Sequence, residues 1–407
     1  MQRLLERQRE RDERSVNRLE RAVVAYEDMD LSSLDVENDN LYESFTSCPE
    51  LFKAMTGWVK SEFDELFGMF ESKLLEKRKG KKRATSRKDC FLIFLWFIAK
   101  QPSAIKLSND IKLSGITISN DMISSIVKYV ANSLEGPMIE SFVTNLVGKH
   151  EYFGDIQPFP EVALITDATV YPVFRPGGDF DMAKKFYCGK HHFYCVKQEV
   201  TINRKGLAVL FSPAVQGTDH DFEVFKNRVQ IHKDALKKLN PVPHGIQAPV
   251  DPLGGQSTWG EMLDKGYEGA SRLLRAITPK KGNDLTQAET ESNLRIARVR
   301  VLVERFLGRL KQRFEVLQEK FHVTVEEEWE LRQSIYSICI CLTNWEVTKR
   351  PLNDNDKTYH ENVMKKFLVD ENERQLKKRA YNESYARRKK NRTSPSVSPT
   401  SSPELGE

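Results

Sequence analysis

The run VALIT, Val162–Thr166, is short, apolar and β-rich, and Asp167 follows it at once. After Pro158 the chain switches to this kind of pattern, and a run this short reads as a buried strand. His192–Asn203 and Leu207–Ser212 read as two more strands, separated by the hairpin turn Arg204-Lys205-Gly206. Phe222–Leu239 reads as a helix, and Pro241–Thr258, rich in Pro and Gly, as a loop. Trp259–Leu263 reads as a brief strand ending at Asp264. Leu285–Lys320 carries Leu294, Ala297, Val301, Phe306, Leu310 and Phe314 at roughly helical spacing, and Glu326–Val347 is a final helix. The order strand, strand, strand, helix, strand, helix predicts an α/β layer over residues 151–350, with helices packed on a mixed sheet.

Upstream, residues 45–150 read as all-helical. Ser61 can cap a helix carrying Phe63, Leu66, Phe67, Phe70 and Leu74 on one face. Ser86 with Asp89 resembles a capping box that opens an apolar helix at 88–100. Two further helices, Ser103–Leu113 and Ser119–Leu134, are joined by Ser114–Ile118, where Gly115 supplies the turn. That spacing fits a helix-turn-helix whose second helix enters a major groove. Two packed scaffold helices fit it equally well. Residues 1–44 read as a charged arm without fixed structure. Residues 351–407 read as a disordered tail, basic and rich in Ser and Pro.

Charged residues make up 30% of the 407-residue chain, with a net charge of +5. The basic residues gather in short runs, which suggests a polyanionic partner, although a solvated surface explains any single run. Six cysteines at irregular spacing, with no CxxC pair, read as free thiols in a reducing compartment. The N-terminus is too charged for a signal peptide. The longest apolar run, Cys90–Ala99, is too short to span a membrane.

Three acids stand out. Asp167 and Asp264 each end an apolar strand, where a rigid sheet would aim a carboxylate into a crevice. Each also reads as an ordinary turn residue. Glu304 lies among Val301, Leu302, Val303 and Phe306, so it borders an apolar helix face and needs a compensating cation. A metal would serve, and so would Arg300, one turn earlier. Three such carboxylates make an oxygen-only site suited to Mg²⁺ or Mn²⁺ rather than zinc. Two ions roughly 4 Å apart can activate water or a 3′-hydroxyl and stabilise the leaving oxygen of a phosphodiester.

The segments ITDATVYP (165–172), FYCGKHHFYCVKQEVTINRKG (186–206), GTDHDFEVF (217–225), LDKGYEG (263–269) and RVRVLVERFLGRLKQRF (298–314) occur in the order seen in Harbinger-type DDE transposases. The chain resembles that family over residues 45–348. The resemblance implies an RNase H-like catalytic fold preceded by a helix-turn-helix region. It implies Asp167, Asp264 and Glu304 as the catalytic, metal-binding triad, with Asp221 as a further candidate metal or site-shaping residue. The interval from Asp264 to Glu304 is slightly long for the family, and an extra turn or loop near Lys280–Thr286 would absorb it. A Myb-like DNA-binding partner protein and a homo-oligomer are also implied.

Double-stranded DNA, as transposon ends and target, is then the expected partner. The run with Lys77, Arg78, Lys79, Lys81, Lys82 and Arg83 is the leading phosphate patch, or a nuclear import signal. Asn120, Ser124 and Lys128 on the second helix of the pair could reach DNA. Lys190 could contact phosphate or end a solvated strand. Basic runs at 377–379 and 387–390, beside Ser-Pro pairs, suit a nuclear protein. Three readings compete: an active transposase, a domesticated descendant that binds DNA without transposition, and a metal-dependent hydrolase of another phosphodiester.

Overall fold

VALIT is only the first half of a longer strand. β1 spans Val162–Pro172, so Asp167 lies inside it rather than just beyond it. Thr169, Val170 and Tyr171 continue the β-forming pattern, and β3, Phe193–Asn203, is long enough to pair with nearly all of it. The antiparallel register runs from Leu164↔Asn203 to Pro172↔Cys195. The parallel partner β6, Gly260–Leu263, is short, and its ladder with β1 stops at Thr166↔Leu263. Asp167 therefore still stands at the end of a ladder, the parallel one. A bulge in β1 between Val162 and Leu164 sets that register.

The structure, a computed structural model, describes residues 41–358 except 48, 75–84, 101–102, 113–116, 149–156, 179, 240–250, 252–255, 283, 354 and 357, and also 380 and 384. The sheet is mixed. Its order is β2 (Tyr187–Cys188), β3, β1, β6 and β7 (Ala276–Ile277), with β4 (Ala208–Phe211) and β5 (Val215–Gln216) also pairing with β3. The two-residue strands are too short for any periodicity to reveal. So is the short seven-residue helix α7, Phe180–Phe186, between β1 and β2.

The single helix expected over 222–239 is two, α8 (Asp221–Asn227) and α9 (Val229–Ala235). They break at Arg228, with φ −115° and ψ 7°. Its guanidinium is drawn inward to Glu199, at 2.9 Å, and to the Phe211 carbonyl, at 2.8 Å. The long helix α10 runs Gln287–Arg313 behind a capping box. Thr286 Oγ1 accepts from the Glu289 N–H, and the Glu289 carboxylate accepts from the Thr286 N–H. The last long helix, α11, spans Glu326–Lys349.

The helical part comprises α1 (Leu41–Thr46), α2 (Pro49–Thr56), α3 (Lys60–Phe70), α4 (Arg87–Ala99), α5 (Ala104–Lys112) and α6 (Asn120–Phe142). Ser86 caps α4 as expected, accepting from the Asp89 N–H at 3.0 Å. Ser61 does not cap α3. The N-cap is Val59, two residues earlier, where Glu62 takes the Val59 N–H at 3.3 Å. No helix among the described residues is long and apolar enough to cross a membrane.

Leu41, Tyr42 and Phe45 are buried, and Asp89 accepts the Tyr42 N–H at 2.8 Å, so α1 already packs on the helical core. One continuous apolar core also joins the helices to the sheet, running from Phe63, Phe91 and Leu134 to Ile165, Val200, Phe306 and Ile338. The division expected at 150 does not separate two cores. Downstream, Pro351 and Asp356 pack on α10, where the Asp356 carboxylate takes Arg309 at 2.8 and 3.0 Å and the Pro351 carbonyl takes it at 3.3 Å. Gly308 makes room for them, because a Cβ there would overlap the Asp356 carbonyl oxygen.

Asn344 on α11 clips three parts together. Its Oδ1 accepts the Ala208 N–H at 2.7 Å, and its Nδ2 donates to the carbonyls of Ala208 at 2.7 Å and Phe142 at 2.9 Å. Asn344→Leu keeps the volume and orphans these buried backbone groups. The expected loss in urea-unfolding free energy is on the order of 2–4 kcal/mol. A loss below about 0.5 kcal/mol would show that the clip is not needed.

Candidate active site

Strand alternation sends neighbouring side chains to opposite faces of the sheet. Thr166 is fully buried, bonded to Thr201 at 2.6 Å and to Glu261 at 2.5 Å. Asp167 therefore points the other way, toward α10. The same parity along β6 puts Asp264, the residue after Leu263, on that face too. Arg300 of α10 lies between them, with Nη2 at 2.7 Å from Asp167 and Nη1 at 2.9 Å from Asp264. All three side chains are mostly covered, with 13% of Arg300, 19% of Asp167 and 17% of Asp264 left exposed. Glu304 stands one turn further along α10, half-buried, and its charge also acts on Arg300.

Burial pushes the Asp167 carboxyl up, and Asp264 adds to the push. Arg300, the Ala168 N–H at 2.8 Å and Lys190 pull it down, and the balance lies at about 6. Burial also works against the Arg300 charge, but Asp167, Asp264 and Glu304 outweigh it. Two carboxylates gathered at one cation are an oxygen donor set that suits a hard divalent ion. Among the described residues, no three His, Cys, Asp or Glu side chains stand close enough to hold an ion as placed. Asp167 and Asp264 are the part of the expected triad already together.

The other expected residues fall around this pair. Lys190 is exposed in the turn between β2 and β3, and its charge reaches Asp167. Asp221 opens α8 and pairs with Lys197 at 2.8 Å. It shapes the wall beside Asp264, since a Cβ on Gly266 would lie 3.1 Å from its Oδ2. The interval from Asp264 to Glu304 is filled by two short turns, β7 and a loop before Thr286. Asn120 and Ser124 are exposed on α6, with the Ser124 hydroxyl donating to the Asn120 carbonyl. Lys128 is held by Glu327 of α11 at 3.0 Å. Lys77, Arg78, Lys79, Lys81, Lys82 and Arg83 lie outside the described residues, as do the basic runs of the tail.

Residues 166–344 match the family model of the DDE superfamily endonucleases. The match includes Asp167, Asp264 and Glu304. A probable transposase for insertion sequence element IS702 of Microchaete diplosiphon is 24% identical over 275 residues, which is 66% of this chain and 86% of that protein. A cryo-EM structure of a piggyBac transposase synaptic complex with hairpin DNA aligns with 90% of this chain and 87% of its own. Identity there is 11% and the TM-score 0.32, too slight a likeness to bear on the fold. The chain is thus similar to DDE superfamily endonucleases over residues 166–344 and to a probable transposase over 275 residues.

Sequence reading missed what lies beneath the site. On the opposite face of the sheet, His232 of α9 is fully buried between two carboxylates. Its Nδ1 is 2.9 Å from Glu261 and its Nε2 is 3.2 Å from Glu199. Arg228 completes the group on Glu199 at 2.9 Å. The available signal was a glutamate set inside each of two strands, Glu199 in β3 and Glu261 in β6, at positions where a buried acid must find an inward partner.

Burial pushes the His232 imidazole down, yet Glu261 and Glu199 more than offset it and hold it at about 9. A raised imidazole contributes stability in full below its unfolded value of roughly 6.5, and loses it as pH rises through about 9. The wild-type chain should therefore lose unfolding free energy between pH 7 and pH 10. In His232→Gln that pH-dependent part should vanish from a starting point already lowered. Equal pH slopes in the two proteins would show that His232 is not charged in the fold.

Proposed function

We propose that the chain is a DNA transposase of the DDE kind. It would cut phosphodiesters at element ends and join the 3′-hydroxyls to target DNA. The observation that carries this reading is the convergence of Asp167 and Asp264 at the end of the parallel ladder, within a segment that matches DDE endonucleases. Glu304, one turn past Arg300, is the third acid of the proposed triad. The sheet also supports an RNase H-like reading, since antiparallel pairing on one side of β1 gives way to parallel pairing on the other.

In this reading Asp167, Asp264 and Glu304 would hold Mg²⁺ or Mn²⁺, two ions in number. Such ions supply Lewis-acid activation of the attacking oxygen and neutralise charge on the leaving one. The chain's own task is to fix the donors. β1 and β6 hold the aspartates rigidly, and α10 brings Glu304 to the same cleft. Lys190 at the rim offers a positive charge to a DNA phosphate. Asp221, kept by Lys197, shapes the wall beside Asp264. Asn120 and Ser124, exposed at the start of α6, remain the proposed duplex contacts of a helix-turn-helix, and the basic run 77–88 the proposed phosphate patch. A nuclear location, a homo-oligomer and a Myb-like partner belong to the same proposal.

Nicking of duplex DNA in Mg²⁺ tests it. Asp167→Ala, Asp264→Ala and Glu304→Ala should each reduce nicking by roughly a hundredfold or more, because metal-ion catalysis supplies several kcal/mol. A variant that keeps full activity removes its residue from the triad. Wild-type DNA binding without nicking would favour a domesticated DNA-binding protein instead.

A further inference from the structure

We propose that Arg300 is a built-in counter-cation that keeps Asp167 and Asp264 together until a divalent ion displaces it. This inference rests on the metal-binding reading above and adds a competition internal to the chain.

Three observations carry it. First, the Arg300 guanidinium divides its two terminal nitrogens between the two aspartates, at 2.7 and 2.9 Å, so it lies where an ion shared by them would have to bind. Both positions cannot be filled at once, because two cations that close repel. Second, the Arg300 Nε–H is buried and has no acceptor in this pose. A guanidinium locked permanently in place usually has its donors satisfied. One held only by its two tips, with a buried donor left over, is set up to leave. Third, the mobile partner is the arginine. Asp167 and Asp264 are fixed to β1 and to the end of β6, whereas Arg300 reaches them on a long stem from α10. Arginine keeps its charge at every ordinary pH, so loss of its own proton cannot free the carboxylates, whereas a competing divalent ion can. Without the guanidinium, two adjacent carboxylates in a mostly covered cleft would repel, and the cleft would be less well ordered before the ion arrived.

The test is Mn²⁺ binding to the full chain, followed by paramagnetic resonance of the free ion, with thermal unfolding in EDTA and in Mn²⁺. Arg300→Gln should bind Mn²⁺ at least about tenfold more tightly than wild type. It should also melt lower in EDTA and gain more on adding Mn²⁺. Arg300→Lys keeps the charge and loses the fork, so it should fall between, and it decides the matter if the glutamine variant does not fold. A merely structural arginine would lower melting in both conditions and leave Mn²⁺ affinity unchanged. Equal or weaker Mn²⁺ affinity in the variants overturns the proposal. The nuclease reading then stands, provided wild type binds Mn²⁺ and Asp167→Asn does not. If wild type and Arg300→Gln both fail to bind Mn²⁺, both readings fall together.

Discussion

Two carboxylates side by side in a half-dry cleft repel each other, and a fold that places them there must supply a cation. In this protein the cation is Arg300, forked between Asp167 and Asp264. Much of the architecture follows from that requirement. α10 must be long and well capped to carry a guanidinium to the middle of the sheet, and Thr286 with Glu289 fixes its start. The sheet must be stiff at the seam between its antiparallel and parallel halves, where the two acids emerge. Its other face is stiffened by charge as well, with His232 and Arg228 answering Glu199 and Glu261. The central strands thus carry a compensated acidic group on each side, one around the fully buried His232 and one around Arg300.

The helical part is best understood as a brace for this sheet. α6 packs along α11, tied by Lys128 to Glu327 and by Glu135 to Ser334. Trp58 packs between Phe314 and Trp345, with ring centres 6.1 and 6.2 Å away. Such contacts bury apolar surface that neither part could cover alone. The exposed residues at the start of α6 are consequently carried on an element rooted in the same core as the acids. Any DNA gripped there would be held at a fixed distance from the cleft.

The sheet and its long helices were legible because their signals are local. The apolar run of β1, the hairpin Arg204–Gly206 and the periodic face of α10 are all visible in short windows of sequence. So were the three acids as candidates, once their motifs were seen in order. What was not legible depends on partners distant in the chain. Helical spacing offers Arg300 only as an alternative partner for Glu304, whereas in three dimensions it answers two aspartates, 133 residues away in the case of Asp167. The break at Arg228 follows from an acid on β3 that no window around 228 contains. The packing of Asp356, in a stretch whose polar composition reads as tail, depends on a missing side chain at Gly308.

The bulge between Val162 and Leu164 has an effect some distance from where it sits. β1 and β6 begin in step at Val162↔Gly260, and without the bulge Asp264 would have come level with Thr166. Its carboxylate would then share a face with the buried His232 group. The one-residue offset brings it level with Asp167 instead. A backbone irregularity about four residues upstream thus acts as the phase setting of the cleft. Lengthening or shortening the chain by one residue there would disturb the chemistry more than most side-chain replacements, because it would turn one acid of the pair to the wrong side of the sheet while leaving both in the sequence.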